Sequence, residues 1–387
     1  MECQPRQGLP NLFAKLRAGG EVRIAYLGGS ITEAGGWRVL SRQWLADQYP
    51  AAKVTEIRAT ISGTGAEFGA CRLQRHVLNG DPDLLFVEFA VNGIGQGARG
   101  LRTMEGIVRQ TWQQNPNTDI CFVYTLSSGF LKDVQEGKDP AVVQTMERVA
   151  DAYGIPSIRL GLEVARKVKE GTLVFKGPPP AFSTDGVHPD VATGHPFCLA
   201  AIVRSMPALQ AAGKPGDHPL PTPLDADNWE QARMVPVEQV RRSPGWAQVP
   251  PPGDCERAQR VSQYLPTLWQ ATRPGETLSF AFHGTAFGIA GLKGPDAGQF
   301  AVSVDGQPPV VGILFDGYCT EGRYRMWPWF HPHDLPLGDH RVELTLLADP
   351  VDKKAILERH GATMRDPAAF APSCLYVGDI LIVGEAK

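Results

Sequence analysis

A serine near the start of the chain has neighbours that suit a nucleophile. Ser30 lies in Gly28-Gly29-Ser30-Ile31-Thr32, directly after the apolar run of residues 22–27. Open α/β folds bind ligands at the carboxyl edge of the parallel sheet, and glycines let a reacting group approach closely. The segment is not a G-x-S-x-G nucleophile elbow, because Thr32 stands where that pattern needs glycine. It predicts either a serine nucleophile or a Ser/Thr cap at the start of a helix.

A second motif supplies a base for such a serine. Asp185 and His188 stand three residues apart in Ser183-Thr184-Asp185-Gly186-Val187-His188-Pro189. A serine nucleophile needs a base, and an imidazole needs an acceptor that sets its tautomer. The Asp185 carboxylate can hold Nδ1–H of His188 and leave Nε2 for Ser30. The alternative is a surface turn with a helix cap. His195, the next histidine, is expected to be structural, with substrate contact as the alternative.

Two further turns are candidates for stabilising an oxyanion, which needs two or three aimed donors. Ile61-Ser62-Gly63-Thr64-Gly65 follows the second predicted strand, where a glycine N–H can approach a reacting carbonyl. Val91-Asn92-Gly93 follows the third, where the Asn92 amide can donate. Each turn alone is common. Because both follow successive strands, they are expected at the same sheet edge as Ser30.

Alternating strand-like and helix-like segments in the first half must position these residues. Predicted strands cover residues 22–27, 54–57, 84–89 and 120–125, with a short one near Ser157, and predicted helices cover residues 37–49, 66–78, 101–112, 141–153 and 191–206. This alternation predicts a parallel sheet with helices on both faces. Strands that are apolar throughout fit a sheet covered on both sides. Within one of them, Glu88 is expected to be a paired structural carboxylate, with a place on the pocket floor as the alternative.

The pattern changes after Met206. Residues 207–224 have the proline and glycine density of a linker. Beyond it, period-2 runs between turns predict an all-β sandwich, with runs at residues 277–289, 300–304, 340–346 and 375–383. We therefore predict a catalytic domain over residues 1–212 and a β-sandwich accessory domain over residues 225–387.

Composition argues against several classes of protein. The 387 residues carry 38 Lys and Arg against 41 Asp and Glu, a net charge of −3, which argues against nucleic-acid binding through bulk charge. No apolar run approaches the ~18 residues of a membrane helix. Residues 1–10 have no apolar signal-peptide core, so we expect a cytoplasmic protein, or a secreted one if a signal segment has been removed. The seven cysteines stand singly without zinc-ligand spacing, which is typical of reduced thiols.

Four blocks of the sequence, GGSIT, ISGTG, VEFAVNG and DGVH, stand in the order and contexts of the four blocks of the SGNH (GDSL-like) hydrolases. The resemblance covers roughly residues 20–206 and implies a three-layer α/β/α, flavodoxin-like domain. By this resemblance Ser30 is the nucleophile and the first oxyanion donor, and Gly63 and Asn92 are the second and third donors. His188 is the general base, and the carboxylate of Asp185 orients it.

This sequence departs from the family pattern at two places. Gly29 replaces the aspartate of the commoner GDS, and Gly93 replaces the aspartate that usually follows the asparagine of the third block, which removes a local acceptor. Gly63 is preferred to Gly65 as donor, because a glycine and an arginine follow it after six and nine residues, as in the family's second block. All of the assigned positions hold suitable residues, which argues against an inactive enzyme.

The second half also resembles the β-rich tail of some bacterial SGNH proteins. The similar segments are Gly284-Thr285-Ala286-Phe287-Gly288, Gly294-Pro295-Asp296-Ala297-Gly298, Val304-Asp305-Gly306 and Gly338-Asp339-His340. Such tails look like carbohydrate-binding, jelly-roll-like sandwiches, which favours a sugar-linked substrate. Residues 326–331 (MWPWFH) are interpreted as a cluster in the core or at a domain interface, with an aromatic sugar platform or a segment over the cleft as alternatives.

The resemblance therefore implies a serine esterase that hydrolyses acyl, and by preference acetyl, esters through an acyl-enzyme. Its expected substrate is a small molecule or an oligosaccharide ester, and it needs no metal or cofactor. The alternatives are a lipid-type or thioester hydrolase, and a carbohydrate-binding protein with an inactive hydrolase fold. Neither a nucleic acid nor a membrane is expected as a partner, and the sequence leaves the oligomeric state open.

Overall fold

The chain folds into two compact units, Met1–Glu230 and Gln231–Lys387. The computed structural model describes residues 1–251, 259 and 261–387. The domain bounds that we propose from the sequence, 1–212 and 225–387, differ from these units over the segment 213–230. Part of that segment is tied to the first unit: Glu105 accepts the backbone N–H groups of Leu224 and Asp225 at 2.5 and 3.0 Å, and Trp229 is fully buried.

The first unit is built around a six-stranded sheet. Its strands are β1 (Cys3–Gln4), β2 (Gly20–Gly28), β3 (Ala52–Thr60), β4 (Leu84–Glu88), β5 (Asp119–Tyr124) and β6 (Ser157–Arg159). The sheet order is β1-β6-β5-β4-β2-β3. Strands β2 to β6 run parallel, and β1 pairs antiparallel with β6 at one edge. Taken in chain order, the parallel strands have the flavodoxin-like arrangement 2-1-3-4-5, so the predicted fold class is confirmed for this unit.

Helices cover the sheet and connect its strands. They are α1 (Pro10–Ala18), α2 (Ser30–Glu33), α3 (Trp37–Gln48), α4 (Ala66–Cys71), α5 (Leu73–His76), α6 (Ala98–Gln114), α7 (Leu131–Gln135), α8 (Ala141–Tyr153), α9 (Leu162–Lys169) and α10 (His195–Ala211). Strands β4 and β5 are buried along their whole length. Leu12, Trp37 and Ile202 join α1, α3 and α10 to one continuous core with the sheet. Burial of this apolar surface, at about 25 cal/mol per Å², is the main force that holds the layers together.

The last helix of this unit, α10, differs at both ends from the predicted helix over residues 191–206. It begins at His195 rather than residue 191 and continues through Pro207 to Ala211, into the predicted linker. Leu209 in the final turn is fully buried, and its carbonyl accepts the backbone N–H of Leu9 at 3.1 Å. Tertiary packing therefore holds the turn despite the missing N–H of the proline. The predicted helix at residues 66–78 is likewise divided into α4, α5 and a short 3-10 turn, Leu78–Gly80.

The described residues of the second unit form an antiparallel, ten-stranded sheet. Its strands are β7 (Ala232–Pro236), β8 (Arg241–Arg242), β9 (Ala247–Gln248), β10 (Trp269–Ala271), β11 (Thr277–Lys293), β12 (Gln299–Val304), β13 (Val310–Ile313), β14 (Arg325–Phe330), β15 (Gly338–Leu346) and β16 (Leu375–Ala386). The long strand β11 pairs with β15 over residues 277–284 and with β14 over residues 288–293. Inward side chains of β11, β12, β15 and β16 share one apolar core, which confirms the all-β prediction. Helices α11 (Lys353–Arg359) and α12 (Pro367–Phe370) lie between β15 and β16.

The aromatic residues 326–331 lie on and just after β14. The ring of Trp329 meets buried Phe300 edge-on at 5.2 Å, and His331 stacks on buried Phe287 at 5.0 Å. The Nζ atom of Lys293 lies 3.8 Å from the centroid of the Trp327 ring. Trp327 and Trp329 both pack against the core of the second unit, and His331 stacks on it, which agrees with the interpretation of residues 326–331 as a core cluster. The alternatives for this cluster, an aromatic sugar platform or a segment over the cleft, stay predictions.

Two sequence-based expectations concern the wider properties of the chain. Among the residues that the structure describes, no helix has the length and apolar character needed to cross a bilayer. Cys255 lies outside the described residues, and the six described cysteines are free thiols. Burial raises the pKa of Cys71, Cys121 and Cys198. The neutral form of these thiols is therefore favoured, and they are poor nucleophiles.

Candidate active site

Three of the predicted site residues form one hydrogen-bonded chain. The Oγ atom of Ser30 lies 2.7 Å from Nε2 of His188, and Nδ1 of His188 lies 2.6 Å from Oδ2 of Asp185. Because Nδ1 faces a carboxylate, we assign the ring proton to Nδ1, which leaves the lone pair of Nε2 toward the serine hydroxyl. In this arrangement the imidazole can take a proton from the serine when the hydroxyl attacks an acyl carbon.

The turn that contains Asp185 and His188 orients both side chains locally. Oδ1 of Asp185 accepts the backbone N–H groups of Val187 and His188, both at 2.8 Å, which leaves Oδ2 for the imidazole. Burial disfavours the ionised carboxylate, but the hydrogen bonds from the His188 side chain and these two N–H groups outweigh it. They hold the pKa of Asp185 well below its usual range. The carboxylate is therefore charged at neutral pH, where it can stabilise an imidazolium.

Ser30 is placed by the sharp passage from β2 into α2. Strand β2 ends at Gly28, and α2 begins at Ser30 itself. A Cβ atom on Gly29 would lie 2.0 Å from Oδ1 of Asn92, so the side chain of Asn92 occupies the space that any larger residue at position 29 would need. This close approach gives a physical reason for glycine where the family more often has aspartate.

The two turns with predicted oxyanion donors lie beside each other at the start of α2. The backbone N–H of Ile61 donates to the carbonyl of Gly28 at 3.1 Å, which brings the turn after β3 to the end of β2. The carbonyl of Gly93 accepts the N–H of Ala66 at 3.0 Å, which joins the turn after β4 to the same region. Gly63 has a positive φ of 76°. We propose Gly63 N–H and the Asn92 amide as donors, together with Ser30 N–H.

Gly65 has a different role in this arrangement. A Cβ atom on Gly65 would lie 2.7 Å from the carbonyl oxygen of Gly93, so the absence of a side chain allows the two turns to pack closely. Gly65 also precedes the first residue of α4. This packing role is compatible with Gly63, rather than Gly65, as the oxyanion donor that we propose.

His195 is fully buried, and its Nδ1 accepts the backbone N–H of Trp37 at 3.1 Å. A Cβ atom on Gly36 would lie 2.0 Å from the ring, so the first turn of α3 rests directly on the imidazole. Burial lowers the pKa of His195 to about 4, which keeps the ring neutral at physiological pH. These contacts support the structural interpretation of this residue.

The buried imidazole of His195 predicts a loss of stability in mild acid. Unfolded His195 takes up a proton as the pH falls through about 6.5, whereas the folded residue stays neutral to about pH 4. Its contribution is therefore complete above pH 6.5 and declines by about 3 kcal/mol as the pH falls toward 4. Chemical denaturation at pH 7.5 and 4.5 measures this loss. The His195→Asn variant, which keeps an acceptor for the Trp37 N–H, should show a smaller difference between the two pH values. An equal difference would contradict the prediction.

Glu88 is a buried carboxylate close to the nucleophile helix. It lies at the end of β4 and accepts the hydroxyl protons of Thr32 at 2.9 Å and Thr125 at 2.7 Å. Burial raises its pKa, and the two threonine hydrogen bonds oppose that rise. Glu88 is thus a hydrogen-bonded carboxylate, partnered by two threonines. Because Thr32 belongs to α2, Glu88 helps to hold the helix that carries Ser30.

Glu33 has no role predicted from the sequence, yet its carboxylate reaches the turn that contains Gly63. It accepts the backbone N–H of Ser62 at 2.8 Å. The available sequence signal was a carboxylate three residues after the candidate nucleophile, on the same helical turn.

The comparisons with known proteins agree with this architecture. Residues 26–194 match the model of the GDSL-like lipase/acylhydrolase family. A solved two-domain esterase (CEX) active on acetylated mannans, co-crystallized with mannopentaose, is 20% identical with a TM-score of 0.75, over 99% of this chain and 97% of that chain. A second structure of an esterase so described is 19% identical with a TM-score of 0.74, over 99% and 98% of the two chains. No curated protein matches the chain. The structural likeness shows a shared two-domain fold.

Proposed function

Residues 26–194 form a domain of the GDSL-like lipase/acylhydrolase family, and from this premise we propose that the chain is a serine esterase whose favoured substrates are acetyl esters of carbohydrates. The observation that carries the proposal is the continuous hydrogen-bonded chain from Ser30 through His188 to Asp185, at 2.7 and 2.6 Å. A nucleophile, a base and an orienting carboxylate in this order are the parts that covalent acyl transfer requires.

The reaction follows from this geometry in two stages. His188 takes the proton of Ser30 as Oγ bonds to the ester carbon, and Asp185 stabilises the imidazolium. Ser30 N–H, Gly63 N–H and the Asn92 amide bind the oxyanion. The C–O bond to the alcohol then breaks, and His188 returns the proton to the departing alcohol. In the second stage His188 takes a proton from water as the water oxygen bonds to the acyl carbon. The bond from this carbon to Ser30 Oγ then breaks, His188 returns the proton to Oγ, and the acid leaves.

The substrate class rests on a separate argument. The solved two-domain esterase is active on acetylated mannans, and its fold is shared along nearly the whole chain, including the all-β unit. An accessory β-domain in the same chain as an acyl hydrolase fits a substrate in which the ester is carried by a polymer or oligosaccharide. This likeness is our reason for preferring sugar-linked acetate to a lipid ester.

Acyl-length selectivity tests the proposal. We expect kcat/KM for p-nitrophenyl acetate to exceed that for p-nitrophenyl octanoate by at least about tenfold, because methylenes that a small acyl site cannot accept cost about 1–3 kcal/mol. Acetylated manno-oligosaccharides should release acetate. Both reactions are measured beside Ser30→Ala, which corrects for hydrolysis that does not use the nucleophile.

Each alternative has its own outcome in this assay. Preference for octanoate would support a lipid-type hydrolase, and preference for an acetyl thioester over the matched oxygen ester would support a thioesterase. Oligosaccharide binding that survives Ser30→Ala, with no turnover by the unmodified protein, would support an inactive binding protein. Any of these results would overturn the acetyl-ester proposal.

A further inference from the structure

Glu33 lies on the same helical turn as the proposed nucleophile. Helix α2 begins at Ser30 and ends at Glu33, and the backbone N–H of Glu33 donates to the carbonyl of Gly29 at 2.9 Å. These contacts place the Glu33 backbone one turn after Ser30. The side chain of Glu33 is 23% exposed. It is neither nucleophile, base nor oxyanion donor in the proposed reaction.

The carboxylate of Glu33 holds the turn that contains Gly63. Its Oε2 accepts both the backbone N–H of Ser62, at 2.8 Å, and the Ser62 hydroxyl. The turn closes on itself through a hydrogen bond from Thr64 N–H to the Ile61 carbonyl at 3.3 Å. The positive φ of Gly63 is the one that the third residue of a type II turn requires. Ser62 and Gly63 are the two central residues of this turn. The N–H of Ser62 donates to Glu33, and the N–H of Gly63 is the one that we assign to the oxyanion.

Arg58 orients the other carboxylate oxygen. Its Nη2 atom lies 3.3 Å from Oε1 of Glu33, and Arg58 belongs to β3, the strand that leads into the turn. The Glu33 carboxylate therefore links three elements: the nucleophile helix that carries it, β3 through the Arg58 side chain, and the turn with the proposed donor. Each of its oxygens has a separate partner, which fixes the orientation of the carboxylate plane.

We propose that Glu33 is a positioning residue that sets the place of the Gly63 N–H relative to the Ser30 Oγ. It touches no substrate and acts through Ser62. The inference rests on the proposed function, because the donor role of Gly63 does. Oxyanion donors stabilise charge only when they are held close to where it develops, and a displacement of about 1 Å can cost on the order of 10²-fold in rate. The hydrogen bond from Ser62 to Glu33 meets this need, because it joins α2, which follows β2, to the turn that follows β3.

The test compares Glu33→Ala with Glu33→Gln. We expect Glu33→Ala to lower kcat for p-nitrophenyl acetate by about 10- to 100-fold, with KM within about threefold, because the donor acts chiefly in the transition state. The inhibition constant of a boronic acid that forms a tetrahedral adduct with Ser30 should rise in parallel. Glu33→Gln keeps an oxygen for the Ser62 N–H and should remain within about fivefold of the unmodified protein.

The Glu170→Ala variant is the matched control, since it removes an exposed carboxylate that follows the last residue of α9 and pairs with Arg166 at 2.7 Å. It should leave kcat and the inhibition constant unchanged. The proposal is overturned if Glu33→Ala keeps its kcat, if Glu33→Gln is as impaired as Glu33→Ala, or if kcat falls together with the melting temperature while the inhibition constant stays constant.

A phosphonofluoridate probe separates this inference from the proposed substrate. The Ser30 oxygen bonds to phosphorus, fluoride leaves, His188 takes the proton, and the phosphoryl oxygen uses the oxyanion donors. If the unmodified protein is inert toward acetyl esters but labelled at Ser30, only the substrate proposal fails. Labelling that is at least about tenfold slower in Glu33→Ala then supports the positioning role, and equal labelling rates overturn it. A protein that is neither active nor labelled overturns both.

Discussion

Replacement of Ser30 by alanine is expected to lower kcat/KM for acetate esters by about 10⁴-fold or more. The Oγ atom is the proposed attacking atom and lies 2.7 Å from its base, so its removal abolishes the acyl-enzyme route. The oxyanion donors and substrate binding can still give a small residual rate. Steady-state hydrolysis of p-nitrophenyl acetate, together with a melting curve that shows a folded variant, measures the effect.

His188→Ala should lose a similar factor, and the double variant should be no slower than either single one. This non-additivity is expected because the serine, imidazole and carboxylate act as one unit. Ser128→Ala is a suitable control: its hydroxyl belongs to an exposed residue, and its contact with Gly186 uses the backbone N–H at 2.8 Å. Losses from Ser30→Ala and His188→Ala that multiply in the double variant would argue against one shared catalytic unit.

Gly29→Ala is expected to lower kcat by about 10²- to 10³-fold, the cost of losing one oxyanion donor. A Cβ atom at this position would lie 2.0 Å from Oδ1 and 2.9 Å from Nδ2 of Asn92, so the amide must move. Gly29→Asp should be at least as impaired, although aspartate is the commoner residue of the family at this place. Kinetics with p-nitrophenyl acetate in both variants give the comparison.

The Gly29 prediction has an internal control in a nearby glycine. A Cβ atom on Gly35 meets no heavy atom within 4 Å, so Gly35→Ala should retain its activity. If Asn92 carries the effect, Asn92→Ala should show a comparable loss, and adding Gly29→Ala to it should change little. Full activity of Gly29→Ala would show that the contact does not hold a needed donor.

The sequence alone predicts those features that depend on residues close together in the chain. Apolar runs locate β2, β4 and β5, because strands buried on both faces are apolar throughout. The Asp185–His188 contact spans three residues of one turn, so the motif alone contains the geometry. Pro207 shows the limit of such local rules: a buried Leu209 keeps the helix intact beyond a proline.

Contacts across long stretches of chain were decided only by the tertiary structure. The hydrogen bond of Ser30 with His188 joins residues 158 positions apart, and no local pattern encodes its 2.7 Å distance. The tether from Glu33 to Ser62 and the approach of Asn92 to Gly29 depend on which strands are neighbours in the sheet. Residue types and their order therefore determined which chemistry is available, whereas the strand order determined which groups meet, because close packing of the strands fixes distances that local propensity cannot.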